Sequence, residues 1–307
     1  MEEWDVVIVG AGPAGLTAGI YCGRAKVKTV ILEAMSPGGQ VLTAGTIENY
    51  PGFPGGISGP ELMGRFLQQV KELEVPVKEF CQVQRATLSK DRLLLETSSG
   101  AFGCKALIIA AGAQPAKLRV PGEDRYIGQG VSFCATCDGF FFRGKEVAVI
   151  GGGDRAAEEA LYLSNIAERV YLVHRRDRLR AQRLLQEQVL RNPKITPLWR
   201  KVVEEVLGDQ GGVKALKLKD PSSGESSTLE VEGVFVAVGQ VPATEPFRGL
   251  VELDERGFIK TDDRCATSCK GVFAAGDVRA KDLRQVSTAV GDGAIAASSA
   301  IAYVESL

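Results

Sequence analysis

The chain has one histidine, two tryptophans and three methionines, and aromatic side chains make up only 7% of its 307 residues. Charge of one sign is also missing, since 37 basic residues face 38 acidic ones for a net charge of −1. That balance leaves no electrostatic footprint for nucleic acid or an anionic membrane surface. No apolar run reaches the length that spans a bilayer. The opening Met1-Glu2-Glu3-Trp4 has none of the basic, apolar and cleavage segments of an export signal. Seven cysteines is an odd number, so a complete structural disulfide framework is not expected. The cytoplasm is the expected compartment, and a disulfide there is catalytic or transient.

Against that background one stretch stands out, Cys134-Ala135-Thr136-Cys137-Asp138-Gly139. Two cysteines two residues apart can close a small disulfide ring, and such thiolates are more accessible than that of an ordinary cysteine. Half of a zinc site is the alternative, but it requires a second pair of ligands at finger-like spacing. Cys265 and Cys269 form the only other close pair and lie far downstream. The stretch reads as a redox site, with no metal expected.

Two glycine turns flank it. Asp5 to Gly10 is a short β-branched run, as in a strand buried on both faces of a parallel sheet. It leads into Gly10-Ala11-Gly12-Pro13-Ala14-Gly15 and an apolar-periodic helix to about Arg24. Gly10 makes the tight turn, Gly12 admits a pyrophosphate, and Gly15 lets helix and strand pack closely. The phosphate would rest on the helix N-terminus. Glu33 ends the next strand, 23 positions after Gly10, where a carboxylate accepts an adenosine ribose hydroxyl. The second turn, Gly151-Gly152-Gly153-Asp154-Arg155-Ala156, follows Val147 to Ile150, with Ala156 at the packing position. At the same offset of 23 it has His174, followed by Arg175 and Arg176, with Arg180 close by. The sign of the charge is reversed: a carboxylate repels a 2′-phosphate, whereas guanidinium groups bind it through charge-assisted hydrogen bonds. The first turn therefore suits the adenosine of FAD, and the second suits NADPH. A solvated basic helix start is the bland alternative, since Arg178 and Arg183 are also near.

Each glycine turn is followed by a helical stretch, a β-rich excursion (82–98 in the first copy, 202–218 in the second) and an apolar strand ending in glycine, at Gly112 and Gly239. The segments after Pro246, including Gly276-Asp277 and a small-residue helix from about Val286, complete neither copy, so the second unit is predicted to be inserted into the first. The expected architecture is α/β, with two three-layer, Rossmann-like dinucleotide-binding domains. The boundaries are 1–114 and 246–307 for the first domain and 115–245 for the insert, joined by Pro- and Gly-containing connectors suited to hinges.

Taken together, these motifs resemble low-molecular-weight, bacterial-type thioredoxin reductase over essentially the whole chain. They include Gly38-Gly39-Gln40, Glu48-Asn49-Tyr50-Pro51-Gly52 and Arg284-Gln285-Val286 as well as those above. The resemblance implies FAD held noncovalently by the outer segments, NADPH held by the insert, a homodimer, and thioredoxin or a thioredoxin-like protein as substrate. Gly39, Gln40, Asn49, Gly112, Gly276, Asp277, Arg284, Gln285 and Val286 would then belong to the FAD site. The start of the last helix would face the flavin pyrimidine edge, where a partial positive charge favours the anionic reduced form. Gly151, Gly153, Asp154, Arg155, Ala156, His174, Arg175, Arg176 and Arg180 would belong to the NADPH site. Arg155 stands where relatives commonly have a small hydroxyl residue. By family analogy Cys137 is the flavin-proximal sulfur and Cys134 attacks the substrate.

Proton transfer needs a further group, and the lone histidine is committed to the nucleotide cluster. Asp138 is therefore the predicted general acid and base. Dithiol and nicotinamide cannot occupy one flavin face together, which implies a rotation of the insert about its connectors. The competing readings are a reductase fed by NADH or ferredoxin, a dithiol oxidase, and a redox sensor without turnover. Arg175 and Arg176 argue against other donors. Two nucleotide sites plus a dithiol argue against a sensor. The hydroperoxide-system reductase with these motifs has an extra N-terminal domain, not expected here because the first strand begins at Asp5.

Overall fold

The computed structural model describes residues 1–44, 46–89 and 92–307. Lys90 and Asp91, inside the predicted excursion at 82–98, lie outside the described residues. The chain divides into two compact units, Met1–Gln114 with Val241–Leu307, and Pro115–Gln240.

In the first unit five strands run parallel, in the order Val77–Lys78, Thr29–Leu32, Glu2–Val9, Gly100–Ile109 and Val272–Ala274. Alternation along these strands explains why they are buried on both faces. Val6, Ile8, Ile31 and Ile108 join one apolar cluster with the helices Pro13–Arg24, Gly59–Glu72 and Val286–Glu305. Val7, Val9, Val30 and Ile109 join the other, with Ala86, Leu93 and Leu95 of an antiparallel hairpin. Strand Gly100–Ile109 links the two layers: it pairs parallel with Glu2–Val9 along nearly its whole length, while on its other edge the first half pairs antiparallel with Arg92–Thr97 and the end pairs parallel with Val272–Ala274. Each valine or isoleucine buried this way contributes roughly 1.5–3 kcal/mol.

The second unit repeats the plan. Its parallel order is Val131–Ser132, Gly233–Ala237, Glu146–Gly151, Arg169–His174 and Ile195–Trp199. Val147, Val149, Val170 and Leu172 pack under the helices Asp154–Ser164 and Arg183–Arg191. Ala148, Ile150, Val234 and Val236 pack against Val206, Val213, Leu216 and Leu218 of a three-stranded antiparallel sheet. Both units are therefore three-layered: helices, parallel sheet, antiparallel layer. Among the described residues no helix is long and apolar enough to cross a membrane.

The first glycine turn shows why its residues are what they are. Gly10 has φ +103°, a conformation open to glycine and strained for other residues, and a Cβ there would lie 2.3 Å from the Ala110 carbonyl oxygen. A Cβ at Gly15 would lie 1.8 Å from the Gly10 carbonyl oxygen, whereas at Gly12 the nearest atom would be 4.0 Å away. Gly15→Ala should therefore lose about 3 kcal/mol of stability through overpacking against backbone. Gly12→Ala should stay within about 1 kcal/mol of wild type. Urea unfolding midpoints of the two variants measure the contrast.

Candidate functional site

Cys134 and Cys137 are joined as a disulfide, with their Cα atoms 5.4 Å apart. The chain reaches them along the buried strand Val131–Ser132 and leaves through the single turn Ala135–Asp138. Cys134 is extended at the head of that turn; its Sγ accepts from the Cys137 amide at 3.2 Å, and its carbonyl accepts from the Asp138 amide at 3.2 Å. The turn is what sets the two sulfurs side by side. Cys137 is exposed and Cys134 half-buried. Asp138 Oδ2 accepts from the Ser132 hydroxyl at 2.6 Å. That same hydroxyl accepts from the Cys134 amide at 3.0 Å and lies 3.2 Å from the Cys134 carbonyl. The phenylalanine triplet that follows is divided: Phe142 is buried edge-on against Phe235, whereas Phe140 and Phe141 are 67% and 70% exposed.

In the same unit the second glycine turn sits at the head of helix Asp154–Ser164. Ala156 is buried at the packing position, and a Cβ on Gly153 would meet nothing within 4 Å. The arginine loop is latched to this turn. The Arg180 amide donates to the Gly152 carbonyl at 2.6 Å, and Asp154 accepts from the Gln182 amide at 2.7 Å and from Gln182 Nε2 at 3.1 Å. Arg175, Arg176 and Arg180 are exposed and, among the described residues, form no ion pair. His174 is buried beneath them, its ring edge-on to Trp199 and pressed against Gly152, where a Cβ would lie 2.2 Å from it. Burial, then the charges of Arg180, Arg176 and Arg175, hold the imidazole below its ordinary pKa, opposed by a hydrogen bond with the Arg178 backbone. The histidine is thus neutral near pH 7, and the cluster's charge resides on the arginines.

Arg155 is held by two other groups. Its guanidinium donates to Glu159 Oε1 at 3.0 Å and to the carbonyl of Phe133, the residue just before Cys134. One side chain therefore joins the glycine-turn helix to the disulfide segment.

In the first unit Glu33 is fixed by two amides, Ala11 to Oε2 at 2.7 Å and Met35 to Oε1 at 2.9 Å. This holds the carboxylate beside the Gly10 turn with lone pairs to spare. The Gly38 amide donates to the Ala11 carbonyl at 2.8 Å, which seats Gly39 and Gln40 on the same turn. Asn49 Nδ2 donates to Gln285 Oε1 at 3.1 Å across 236 residues of sequence, and Gln285 caps the last helix, whose first residue is Val286. Gly112, at the end of the core strand, accepts from the Ala243 amide at 3.0 Å. The Gly276 amide donates to Asp292 Oδ2 at 3.0 Å, and Asp292 is itself paired with Arg279 and Lys281. Burial pushes the Asp277 carboxyl up. Arg284 donates to the carbonyls of Asp277 and Arg279, and its guanidinium lies 4.0 Å over the Phe258 ring.

The polar atoms left over fit bound nucleotides. Four buried side-chain polar atoms among the described residues lack a hydrogen-bond partner, and two of them, Asp277 Oδ1 and His174 Nε2, lie in the two clusters expected to hold FAD and NADPH. Each such atom costs about 1–3 kcal/mol, a cost that a polar ligand removes. Donors and acceptors around Gly12, Glu33, Asn49, Asp277 and Gln285 suit a dinucleotide with a ribityl chain. The guanidinium groups of Arg175, Arg176 and Arg180 suit a phosphate.

Outside these sites, Cys22, Cys104 and Cys265 are buried, and burial raises their thiols to about 11, 12 and 11. Cys265 and Cys269 are not joined. Sequence reasoning missed Ser132, Glu159 and Asp292. The i, i+4 spacing of Arg155 and Glu159 was a readable signal for one pair; nothing at Ser132 or Asp292 announced a partner.

Glu159 carries a pH signature. Burial raises its carboxyl from 4.5 to about 7, with Arg155 pulling the other way. For a group raised in the folded state, the associated stability is full below the unfolded value and is lost as pH rises through the folded one. Stability should therefore fall between about pH 4.5 and 7, and Glu159→Gln should flatten that slope in urea unfolding at a series of pH values.

The whole chain has known counterparts. It matches the pyridine nucleotide-disulphide oxidoreductase family over residues 4–293. It is 45% identical over 304 residues to a thioredoxin reductase of Bacillus subtilis (strain 168), covering 99% of this chain and 96% of that one. The crystal structure of Lactococcus lactis thioredoxin reductase superposes with a TM-score of 0.96 at 44% identity, covering 99% of this chain and 100% of the other. That of T. acidophilum thioredoxin reductase gives 0.93 at 36% identity, covering 100% and 99%. With its duplicated three-layer units, its two glycine turns and its Cys134–Cys137 disulfide, the chain belongs to the pyridine nucleotide-disulphide oxidoreductase family.

Proposed function

We propose that this chain is an NADPH-dependent, FAD-containing thioredoxin-disulfide reductase that works as a homodimer in the cytoplasm. The observation that carries the reading is the Cys134–Cys137 disulfide, with Asp138 beside it, in the same unit as a glycine turn latched to unpaired arginines. Thioredoxin reductase is also the name of the whole-length relatives.

Roles follow from the chemistry of each group. Gly151, Gly153 and the head of helix Asp154–Ser164 would receive the NADPH pyrophosphate. Arg175, Arg176 and Arg180 would clamp the 2′-phosphate, while neutral His174 packs beneath and offers Nε2. Asp154 holds the arginine loop in place through Gln182. Gly10, Gly12, Pro13, Ala14, Gly15, Glu33, Gly39, Gln40, Asn49, Gly112, Gly276, Asp277, Arg284, Gln285 and Val286 would bind FAD. When bound, FAD supplies the two-electron exchange between nicotinamide and disulfide. Cys134 attacks the partner disulfide, and Asp138 gives and takes the proton that thiol exchange requires. The exposed Phe140 and Phe141 offer an apolar grip for the partner protein. Because disulfide and nucleotide turn share the unit Pro115–Gln240, rotation of that unit would present them alternately to one flavin face.

The decisive test is steady-state reduction of thioredoxin with NADPH and with NADH. Wild type should prefer NADPH, and Arg175→Ala/Arg176→Ala should raise the NADPH KM roughly 10- to 100-fold through lost charge-assisted hydrogen bonds. The NADH KM should change by less than about twofold. Cys137→Ser should lose thioredoxin reduction while NADPH still bleaches the flavin. Equal use of both nucleotides by wild type would overturn the donor assignment, and full activity in Cys137→Ser would overturn the reaction.

A further inference from the structure

We infer that Ser132 positions Asp138 for proton exchange with the Cys134–Cys137 pair, holding the carboxyl in both of its protonation states. The inference rests on the reading of Asp138 as acid and base.

Ser132 is set by the core of its unit. It ends the strand Val131–Ser132, pairs with Phe235 of the parallel sheet, and is only 5% exposed. A hydroxyl so buried must find its partners inside the protein. It has one proton to donate and two lone pairs to accept with, and three polar atoms surround it. The Cys134 amide can only donate, and does so at 3.0 Å. The other two are acceptors competing for one proton: Asp138 Oδ2 at 2.6 Å and the Cys134 carbonyl at 3.2 Å.

That competition gives the hydroxyl two complete arrangements. With Asp138 ionised, the Ser132 proton points to Oδ2, a short charge-assisted bond. With Asp138 protonated, the acid donates to the second lone pair of Ser132 Oγ, and the serine proton turns to the Cys134 carbonyl. Every group stays satisfied in both states, and no heavy atom has to move. Alanine at 132 would offer neither arrangement. The charged groups that reach this segment from the neighbouring helix are Arg155, on the Phe133 carbonyl, and its partner Glu159.

An electron pair from the reductant breaks the Cys134–Cys137 S–S bond and leaves two thiolate sulfurs. Asp138 gives its proton to one of them and becomes the carboxylate, and the Ser132 proton swings from the Cys134 carbonyl to Oδ2. When the remaining thiolate attacks the partner's disulfide, a mixed disulfide forms and the partner's first sulfur leaves. Asp138 then takes the proton from the other cysteine, whose sulfur displaces the partner; the carboxyl is thereby protonated again for the next turnover, and the two departing partner thiolates take their protons from water.

The test is a double-mutant cycle on the FAD-loaded protein in single-turnover mixing with NADPH, following first the loss and then the return of flavin absorbance. Asp138→Asn should slow the return about 100-fold, the scale of general-acid catalysis. Ser132→Ala should slow it about tenfold, and the double variant should match Asp138→Asn alone, because residues acting as one unit are not additive. The loss of absorbance, which involves neither residue, should stay within about twofold of wild type in every variant. Ser132→Thr, which keeps the hydroxyl, should restore the return rate to within about threefold. If that variant does not retain flavin, the cycle alone decides. Unchanged return in Ser132→Ala with slowed return in Asp138→Asn would overturn the role of Ser132 only. Losses that multiply in the double variant would do the same. Normal return in Asp138→Asn would overturn the acid–base reading itself, and the role of Ser132 with it.

Discussion

The close approach of helix and strand at the glycine turns is the constraint on which the rest depends. At Gly15 a side chain would collide with the Gly10 carbonyl, and at Gly10 one would collide with the Ala110 carbonyl. Only without those atoms can helix Pro13–Arg24 begin directly above the carboxyl ends of the parallel strands. The positive end of that helix's peptide dipoles is thereby brought to the turn. Glu33, at the end of the next strand, is fixed by two amides of the surrounding loops. The second unit uses the same geometry with a different charge, so one architecture serves two nucleotides.

What the second unit adds is a pair of latches that tie chemistry to the glycine-turn helix. Asp154, in its first turn, holds Gln182 and so the arginine loop; Arg155, the next residue, holds Phe133 and so the disulfide segment. Glu159, one turn further, keeps the Arg155 guanidinium in line for that carbonyl. Arginine loop and dithiol are therefore attached to one helix, and a rotation of the unit would carry both together.

The double glycine pattern, the sign reversal between Glu33 and the Arg175-Arg176 pair, and the dithiol were readable because each depends on residue types that few environments tolerate. Gly10 at φ +103° is one such residue; a carboxylate at the end of the strand after a glycine turn, held there by the Ala11 and Met35 amides, is another. Burial of Val6 to Val9 on both faces was equally plain from the unbroken apolar run, and both faces of that strand meet apolar layers. Less legible were features that depend on partners distant in sequence. Asn49 meets Gln285 only after the first unit has closed. Asp292 looks like an ordinary helical carboxylate until Arg279 and Lys281 are brought to it. Ser132 is a residue type common everywhere, so only the fold reveals that its hydroxyl lies between Asp138 and Cys134. Arg155, which the resemblance places in the NADPH site, is engaged by Glu159 and Phe133 because an acidic side chain one turn away captures the guanidinium. His174, expected as a donor beside the arginines, is packed beneath them because the absent side chain of Gly152 leaves room for its ring.

The central claim is that flavin and disulfide are two electron-pair acceptors in series on one chain. An anaerobic titration with NADPH that counts reducing equivalents against flavin bleaching and free thiols tests it most directly. Wild type should take up two equivalents per chain, one appearing as reduced flavin and one as two new thiols, with a single equivalent sufficing in Cys134→Ser/Cys137→Ser. Complete bleaching of wild type by one equivalent, with no thiols released, would contradict it.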